Sequence, residues 1–170
     1  MALPKLNNTP YYDVVIPSTG EKTKYRPYLV KEEKVLLIAS ESSDTQTMSE
    51  AMLDIVCTCV EAANRNKLTT FDIDYLFVKL RAKAVGETSD ILLTCTADDC
   101  GEQNDVKINL SDIVVVIPED KKNIIQLQDE MTLQLKYPTY YSMINDQVIK
   151  HAESSAEIMY STVMLCLDTL

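Results

Sequence analysis

The clearest pattern along the chain is a run of apolar residues that recur every three or four positions. Its members are Met48, Ala51, Met52, Ile55, Val56, Cys59, Val60 and Ala63. This spacing places them on one face of a helix. Thr47 with Glu50 forms a capping box at the start, and the polar residues 64–66 provide a stop. The pattern therefore predicts an amphipathic helix whose apolar face is buried in the core.

Helical spacing also appears on both sides of this segment. One helix is predicted over residues 31–42, and another over residues 70–85, which ends at Gly86, a residue suited to a left-handed cap. Further upstream, alternating residues 11–16 and 22–25 are joined by turn residues, which is typical of a β-hairpin. Three consecutive helices with short connections favour a bundle.

From residue 87 the pattern changes to short apolar stretches that are typical of strands. These stretches cover residues 91–96, 105–110, 113–117, 124–128 and 131–137. Turn residues lie between them, at 98–101 and at 120–122. Strands of this length need neighbours to bury a face, so the segment predicts an antiparallel sheet.

Helical spacing returns after Pro138. Residues 141–152 carry one apolar stripe, and Ser154 with Glu157 can cap a last helix that extends to Leu170. The apolar positions of this last helix cover most of its circumference, so it must be buried on more than one side. Two explanations stay open: the helix enters an oligomer, or the natural chain continues past Leu170.

Together these elements predict an α+β fold, a helical bundle with an N-terminal β-hairpin and an inserted small antiparallel β subdomain. Residues 1–86 would form the hairpin and helical part, residues 87–137 the β subdomain, and residues 138–170 C-terminal helices that pack on the helical part. The 170 residues, 46% of them hydrophobic, are sufficient for a core.

Charge and composition exclude several classes of function. The net charge of -10 disfavours nucleic acid or an anionic membrane as a partner. Only three glycines and no tryptophan occur, which excludes Gly-rich phosphate loops and indole-lined ligand cages. No N-terminal segment has the basic start, apolar stretch and small-residue cleavage site of a secretory signal, and no apolar run approaches the ~20 residues that span a bilayer. We therefore expect a cytoplasmic product that binds other proteins.

The cysteines offer the main candidate for metal chemistry. Five cysteines, an odd number, are expected to be reduced thiols rather than a disulfide framework. Cys95 and Cys100 flank a short turn, like half of a zinc ribbon, but a structural zinc site normally has four ligands. Cys57 and Cys59 point roughly 200° apart on their helix. We expect no cofactor, with a zinc-binding or redox regulatory module using Cys95 and Cys100 as the alternative.

Catalytic chemistry has little support. His151 is the only histidine, whereas a hydrolase needs a nucleophile, a base and an orienting group. Asp72 and Asp74, at the start of a helix, are more typical of capping residues than of calcium ligands. Nine tyrosines instead favour contact surfaces, because each combines an apolar ring with a hydroxyl. A non-enzymatic binding protein is the expectation.

Residues 25–39 join a basic extended segment directly to a helix. Pro27 biases Arg26 toward an extended conformation, and residues 31–34 supply a charged, solvated first turn before the apolar run 35–39. This segment resembles the baseplate hub assembly proteins of T-even-type tailed phages, in which a similar YRPFLVKEEK phrase precedes helices and a small β region. The resemblance continues through the helices of residues 47–86 and the cysteine-bearing β segment, so it covers most of the chain.

The resemblance implies a non-enzymatic protein of the baseplate hub of a contractile tail. It would act as a structural component retained in the virion or as an assembly chaperone, made in the host cytoplasm. Its partners would be other baseplate and tail proteins, with self-association as a further option and neither nucleic acid nor membrane involved. The candidate partner-binding residues are Arg26, Tyr28, Lys31, Tyr140, Tyr141 and Leu167.

Overall fold

The computed structural model describes residues 9–42, 44–97, 100–118, 122–128 and 131–169. Its N-terminal elements are β1 (Tyr12–Val15), β2 (Lys22–Tyr25), α1 (Val30–Glu41), α2 (Thr45–Cys59) and α3 (Thr70–Ala84). Then follow β3 (Thr88–Thr94), β4 (Gln103–Asn109), a 3-10 turn (Leu110–Asp112), β5 (Ile124–Gln128) and β6 (Met131–Leu135). The described chain closes with α4 (Tyr140–Asn145), α5 (Gln147–His151), α6 (Ser155–Cys166) and β7 (Leu167–Thr169). The predicted α+β class is confirmed.

The N-terminal hairpin forms as predicted. β1 and β2 pair antiparallel, with Tyr12 opposite Tyr25. Because side chains alternate along a strand, Val14 and Tyr25 turn inward and are buried, whereas Lys22 and Lys24 lie on the exposed face. The hairpin thus contributes one face to the core and presents the other to solvent.

Helix α2 lies at the centre of the core and contacts α1, α3 and α4. The predicted apolar face is buried at Ala51, Ile55, Val56 and Cys59. Leu53, which lies outside the predicted stripe, is also fully buried, because neighbours cover α2 on more than one side. Other elements complete the cluster with Val14, Ile16, Tyr25, Tyr28, Leu36, Ala39, Val60, Leu68, Ile73, Leu76 and Leu80.

The start of α2 differs from the prediction. The N-cap is Asp44, not Thr47, and its carboxylate accepts hydrogen bonds from the amides of Gln46 at 3.2 Å and Thr47 at 3.1 Å. A carboxylate satisfies two amides of the first turn at once, and it also meets the positive end of the helix dipole. The helix therefore begins earlier than the predicted Thr47 cap.

The end of α2 is also earlier than its apolar spacing predicts. Val60 leaves the helix and forms an antiparallel bridge with Tyr25. The Arg26 amide then donates to the Cys59 carbonyl at 3.0 Å, and the Glu61 amide donates to the carbonyl of Lys24 at 2.9 Å. Pairing with the hairpin thus overrides the helical spacing after Cys59.

Asp72 joins the start of α3 to the hairpin turn. One carboxylate oxygen accepts hydrogen bonds from the amide and the hydroxyl of Thr69, at 2.9 and 2.8 Å, and the other accepts from the Ser18 amide at 2.9 Å. Asp72 is fully buried. The capping role predicted for it is confirmed, and the bond to Ser18 adds a long-range anchor that sequence does not reveal.

The predicted left-handed cap at Gly86 is wrong. Its φ is +150°, outside the left-handed helical region, and the cap position is taken by Val85. The Val85 amide closes the helix by donating to the Arg81 carbonyl at 2.9 Å. Glycine serves here to redirect the chain from α3 into β3.

The segment after α3 forms two separate small sheets. β3 and β4 pair antiparallel, from Thr88 opposite Asn109 to Thr94 opposite Gln103, while β5, β6 and β7 form a three-stranded sheet. The strand predicted over residues 113–117 is wrong, because this segment pairs with no strand among the described residues and follows the 3-10 turn as irregular chain. The predicted turns at 98–101 and 120–122 lie partly outside the described residues.

The single stripe predicted over residues 141–152 divides into two short helices. Asp146 ends α4 and caps α5, where its side chain accepts a hydrogen bond from the Ile149 amide at 2.9 Å. An aspartate that satisfies a backbone amide competes well with continuation of the helix. α4 lies against α2, and α6 lies against α4 and α5.

The last helix starts as predicted and ends earlier. The Ser154 hydroxyl accepts a hydrogen bond from the Glu157 amide at 3.3 Å. Beyond Cys166 the chain becomes β7, with Leu167 opposite Leu135 in β6. The prediction of helix to Leu170 is therefore wrong for the described residues after Cys166, because strand pairing replaces the last helical turn.

We predict that Ile55→Asp abolishes soluble expression. Ile55 is 3% exposed, and an unpaired carboxylate in the core costs several kcal/mol or forces its own protonation. Expression in the soluble fraction and thermal unfolding are the measurements. Thr45→Asp, which adds the same charge at the exposed start of α2, is the control and should melt close to wild type. A soluble Ile55→Asp protein with normal melting would show that the buried face is assigned wrongly.

Candidate protein-binding surfaces

Arg26 and Glu32 form an ion pair where β2 meets α1. The guanidinium donates a hydrogen bond to each carboxylate oxygen, at 2.8 and 3.0 Å, and the two side chains are 15% and 10% exposed. The same carboxylate accepts a bond from the Leu29 amide at 2.6 Å at the first turn of α1. Two-point pairing of this kind fixes direction as well as distance, so it holds the segment before α1 against the helix.

The ion pair changes the protonation behaviour of its neighbourhood. The hydrogen bonds from Arg26 lower the pKa of Glu32, although burial opposes them. Burial raises the pKa of Cys59, whose Sγ lies 3.9 Å from the Glu32 carboxylate, to about 11. A thiol with that pKa is protonated at neutral pH, which is the state expected of a cysteine packed as a small core residue.

Sequence reasoning missed the role of Glu32 by placing it on a solvated first turn. The signal available was the glutamate at the third position of a helix, where its side chain can reach back to the first amides. Arg26, predicted to bind a partner, has its guanidinium engaged within the chain. A partner contact by Arg26 stays a prediction, and the structure gives its side chain an internal role.

The other two candidates of this segment differ in exposure. Tyr28 is 8% exposed, and its ring stacks on Phe77 with a centroid separation of 6.5 Å. The Lys31 side chain is 74% exposed. Of the three predicted partner-binding residues near the start of α1, Lys31 therefore presents the most side chain to solvent.

Tyr140 and Tyr141 are the first two residues of α4, and they differ in burial. Tyr140 packs on the core, and its amide donates to the Leu68 carbonyl at 2.8 Å. Tyr141 is 40% exposed, with the Arg65 guanidinium 5.6 Å from its ring centroid. Tyr140 therefore anchors α4 to the loop before α3, and Tyr141 leaves part of its ring available to a partner.

Leu167 lies in a strand and not in the predicted helix. It is half-buried beside a cavity of about 350 Å³ that Pro138 and Met164 also line. Next to it, the Lys136 ammonium pairs with Asp168 at 3.2 Å. Leu167 thus helps to fix the end of the chain on β6, and its partner contact stays a prediction for a strand residue.

Cys95 and Cys100 lie in the loop between β3 and β4. The Cys95 amide donates to the Glu102 carbonyl at 2.8 Å, which extends the ladder into the loop. Hydrogen bonds from the Ala97 backbone and from the Cys100 side chain lower the pKa of the Cys95 thiol. The two thiols are therefore neighbours, and they supply two of the four ligands that a structural zinc site uses.

Helix α6 exposes apolar side chains around most of its circumference. Its buried residue is Ser161, whose hydroxyl donates to the Asp146 carboxylate at 2.8 Å. Five apolar side chains are 43–68% exposed and form what we call the α6 apolar face: Ile158, Met159, Tyr160, Val163 and Met164. The sequence predicted a buried apolar helix, and within the described chain this face is uncovered.

Exposed apolar side chains are common in the rest of the C-terminal half as well. Among the described residues after Ala82, Leu110 is the one buried hydrophobic residue. In the N-terminal half a comparable row lies on α1, where Val30, Val35, Leu37 and Ile38 are 50–81% exposed. Exposed apolar surface of this extent is typical of interaction sites.

A groove of about 1110 Å³ lies between the hairpin, α3 and the 3-10 turn. Four lysines line it, Lys22 and Lys24 from β2 and Lys79 and Lys83 from α3, and we call it the lysine groove. Sequence reasoning missed it because the two pairs of lysines are far apart along the chain and meet only when the hairpin docks on α3.

Two kinds of site are not found in the part of the chain that the structure describes. No group of three or more His, Cys, Asp or Glu side chains there is placed to hold a metal ion. None of the helices in those residues is both long and apolar enough to cross a membrane.

Comparison with known proteins gives one family. The family model described as T4 bacteriophage base plate protein matches residues 9–169. The match spans the N-terminal core, both small sheets and the C-terminal helices. No curated protein and no solved structure was found to match.

We predict that Glu32→Gln lowers the free energy of unfolding by about 2 kcal/mol near neutral pH. The Arg26 guanidinium would then lie in a largely buried site without its countercharge. Chemical denaturation of the two proteins measures the difference. Glu33→Gln, which removes the same charge from the next residue of α1, is the control and should unfold close to wild type.

The decrease in the free energy of unfolding caused by Glu32→Gln should become smaller at acidic pH. Because the pKa of Glu32 is lowered in the folded state, the ion pair stabilises the protein fully above the unfolded-state pKa, near 4.5. That contribution is lost as the pH falls through the folded-state pKa. A difference that is absent near neutral pH, or that persists unchanged in acid, would contradict the role assigned to the pair.

Proposed function

The chain belongs to the T4 bacteriophage base plate protein family, and from this premise we propose that it is a non-enzymatic protein of the baseplate hub. Membership makes it a phage baseplate structural protein. The hub position, the absence of catalysis and the manner of binding are the proposal. In it, the protein joins the hub in the host cytoplasm, as a retained component or as an assembly factor, by covering apolar surface with other baseplate proteins.

The orientation of α6 is the observation that carries this proposal. Ser161 is 6% exposed on the inner side, whereas Met159 and Tyr160 are each 68% exposed on the outer side. A surface helix of a self-sufficient domain presents mainly polar side chains to water, whereas the exposed side chains of α6 after Glu157 are apolar. This exposure fits a helix whose apolar side chains are covered by another protein after assembly.

The β3–β4 hairpin supports the same proposal. Ile91 and Leu93 lie on one face of β3 and Leu92 on the other, and all three are 37–56% exposed. An isolated two-stranded hairpin is marginally stable, so its apolar faces require neighbours. Within a baseplate these neighbours would be other subunits, including another copy of the chain.

The surroundings of the nucleophile and base candidates support a non-enzymatic role. His151 ends α5 with an exposed side chain, and Cys59 is buried with a raised pKa. An exposed imidazole in bulk water lacks the oriented and desolvated surroundings that tune a catalytic base. Binding is therefore the better-supported activity, and Lys31 and Tyr141 are exposed residues that would extend the contact.

A second candidate function, a zinc-binding or redox module, uses Cys95 and Cys100. The hydrogen bond between their side chains and the lowered pKa of Cys95 favour it, because reactive thiols are those with stabilised thiolates. Metal analysis and thiol titration of protein purified without chelator separate the two candidates. Stoichiometric zinc, or a disulfide on which folding depends, would favour the cysteine module over the hub protein.

We predict that Tyr160→Glu impairs incorporation into baseplates far more than it lowers stability. Because Tyr160 is largely exposed in the isolated chain, the new carboxylate stays solvated, and Tm should fall by no more than about 2 °C. In the assembly the same carboxylate loses water without gaining a partner, so incorporation should drop at least about tenfold. Thermal unfolding and quantitative mass spectrometry of purified baseplates measure the two effects.

Ser155→Glu is the matched control for this experiment. It adds the same charge at the exposed first position of α6 without removing apolar surface, and it should assemble normally. If Tyr160→Glu fails to fold, α6 belongs to the internal core. If it is incorporated as well as Ser155→Glu, the α6 apolar face is not a contact surface.

A further inference from the structure

We propose that the lysine groove binds an acidic segment of another baseplate protein, an inference that rests on the proposed function. Its wall carries four lysines and two carboxylates, Asp13 and Glu61, and a third carboxylate, Glu87, pairs with Lys83, which leaves the groove positive in a chain whose net charge is -10. A positive groove in an acidic protein concentrates the attraction for a negative partner at one place. The groove is thus a local exception to the charge of the molecule.

The two lysines on α3 are held in place from within the chain. The Lys79 ammonium donates to the Ser111 carbonyl at 2.9 Å and lies 5.2 Å from the ring centroid of Tyr75. Lys83 pairs with Glu87 and lies 5.2 Å from the Tyr12 ring centroid. These contacts order the α3 wall before any partner arrives, which reduces the entropy that binding must overcome.

The two lysines on the hairpin are uncommitted. Lys22 and Lys24 lie on the exposed face of β2, and neither forms an ion pair with another described residue. Asp13 lies opposite Lys24 across the hairpin, and the two do not form a salt bridge. The charges available to a ligand are therefore chiefly those of Lys22 and Lys24.

The character of this site favours polypeptide over nucleic acid. Two uncommitted ammonium groups match a few carboxylates, whereas a polyphosphate backbone would meet the repulsion of the acidic remainder of the surface. Val15, opposite Lys22 on the same hairpin face, is 43% exposed and adds an apolar contact. The segment expected is therefore acidic with an apolar side chain among its carboxylates.

The test uses a short fluorescent peptide of glutamates with one leucine, titrated with the whole chain and followed by anisotropy at low salt. Its counterpart with glutamines in place of the glutamates and a labelled oligothymidylate are the comparison ligands. The variant is Lys22→Glu with Lys24→Glu, and the control is Lys67→Glu with Lys122→Glu, which makes the same charge change at exposed lysines outside the groove.

We predict that the glutamate peptide binds wild type and the control variant alike, and binds the groove variant at least about tenfold more weakly. The glutamine peptide and the oligothymidylate should bind poorly to all three proteins. Absence of binding, equal loss in both variants, or tighter binding of the oligothymidylate would overturn the proposal.

Incorporation into baseplates separates this inference from the function on which it rests. The groove variant, Lys22→Glu with Lys24→Glu, should be incorporated less well than the control variant, Lys67→Glu with Lys122→Glu. If the groove variant is incorporated as well as the control, the groove inference fails and the hub assignment stands. If wild type itself is missing from assembling baseplates, the hub assignment fails, whatever the peptide titration shows.

Discussion

Burial of α2 on several sides is the constraint on which the rest of the structure depends. Leu53 and Val56 are fully buried, in one cluster with buried residues of the hairpin, α1 and α3. Two buried polar interactions then hold the hairpin, α1 and α3 in place. The Arg26–Glu32 pair joins β2 to α1, and the Asp72 carboxylate joins the hairpin turn to α3. A buried polar group that lost one of its partners would destabilise the fold, so each of these interactions favours a single arrangement of the elements it joins.

That core leaves the C-terminal half of the chain with little interior of its own. Leu110 is the one buried hydrophobic residue described beyond Ala82, and α6 directs Ser161 inward and Tyr160 outward. Unequal halves of this kind are expected in our proposal, in which other baseplate subunits cover the apolar surface of the C-terminal half. Membership of the T4 bacteriophage base plate protein family agrees with this division.

Sequence patterns predicted those parts of the fold that local spacing determines. The hairpin, the apolar face of α2 and the capping role of Asp72 are all confirmed, because alternation and helical periodicity reflect burial directly. Patterns failed where distant residues compete. Val60 leaves α2 to pair with β2, residues 167–169 leave the last helix to pair with β6, and residues 113–117 have no described strand beside them.

The proposed binding surfaces were the least predictable part of the structure. An apolar pattern indicates that a helix is to be covered, but it does not indicate whether the cover comes from the same chain. The described residues leave most of α6 uncovered. In the sequence Glu32 is one of several charged residues in its segment, and only the tertiary structure shows that it pairs with Arg26. The lysine groove exists only because the hairpin docks on α3. Charge and contact at these places are products of tertiary structure.

Hydrogen exchange of the isolated chain and of assembled baseplates, followed by mass spectrometry, tests most directly whether the C-terminal half is completed by partners. In the isolated chain, α2 and α3 should exchange slowly, and the β3–β4 hairpin and α6 should exchange much faster. In baseplates the amides of the β3–β4 hairpin and of α6 should become protected from exchange, while those of α2 and α3 should change little. Equal protection of both halves in the isolated chain, or no gain of protection on assembly, would contradict the account.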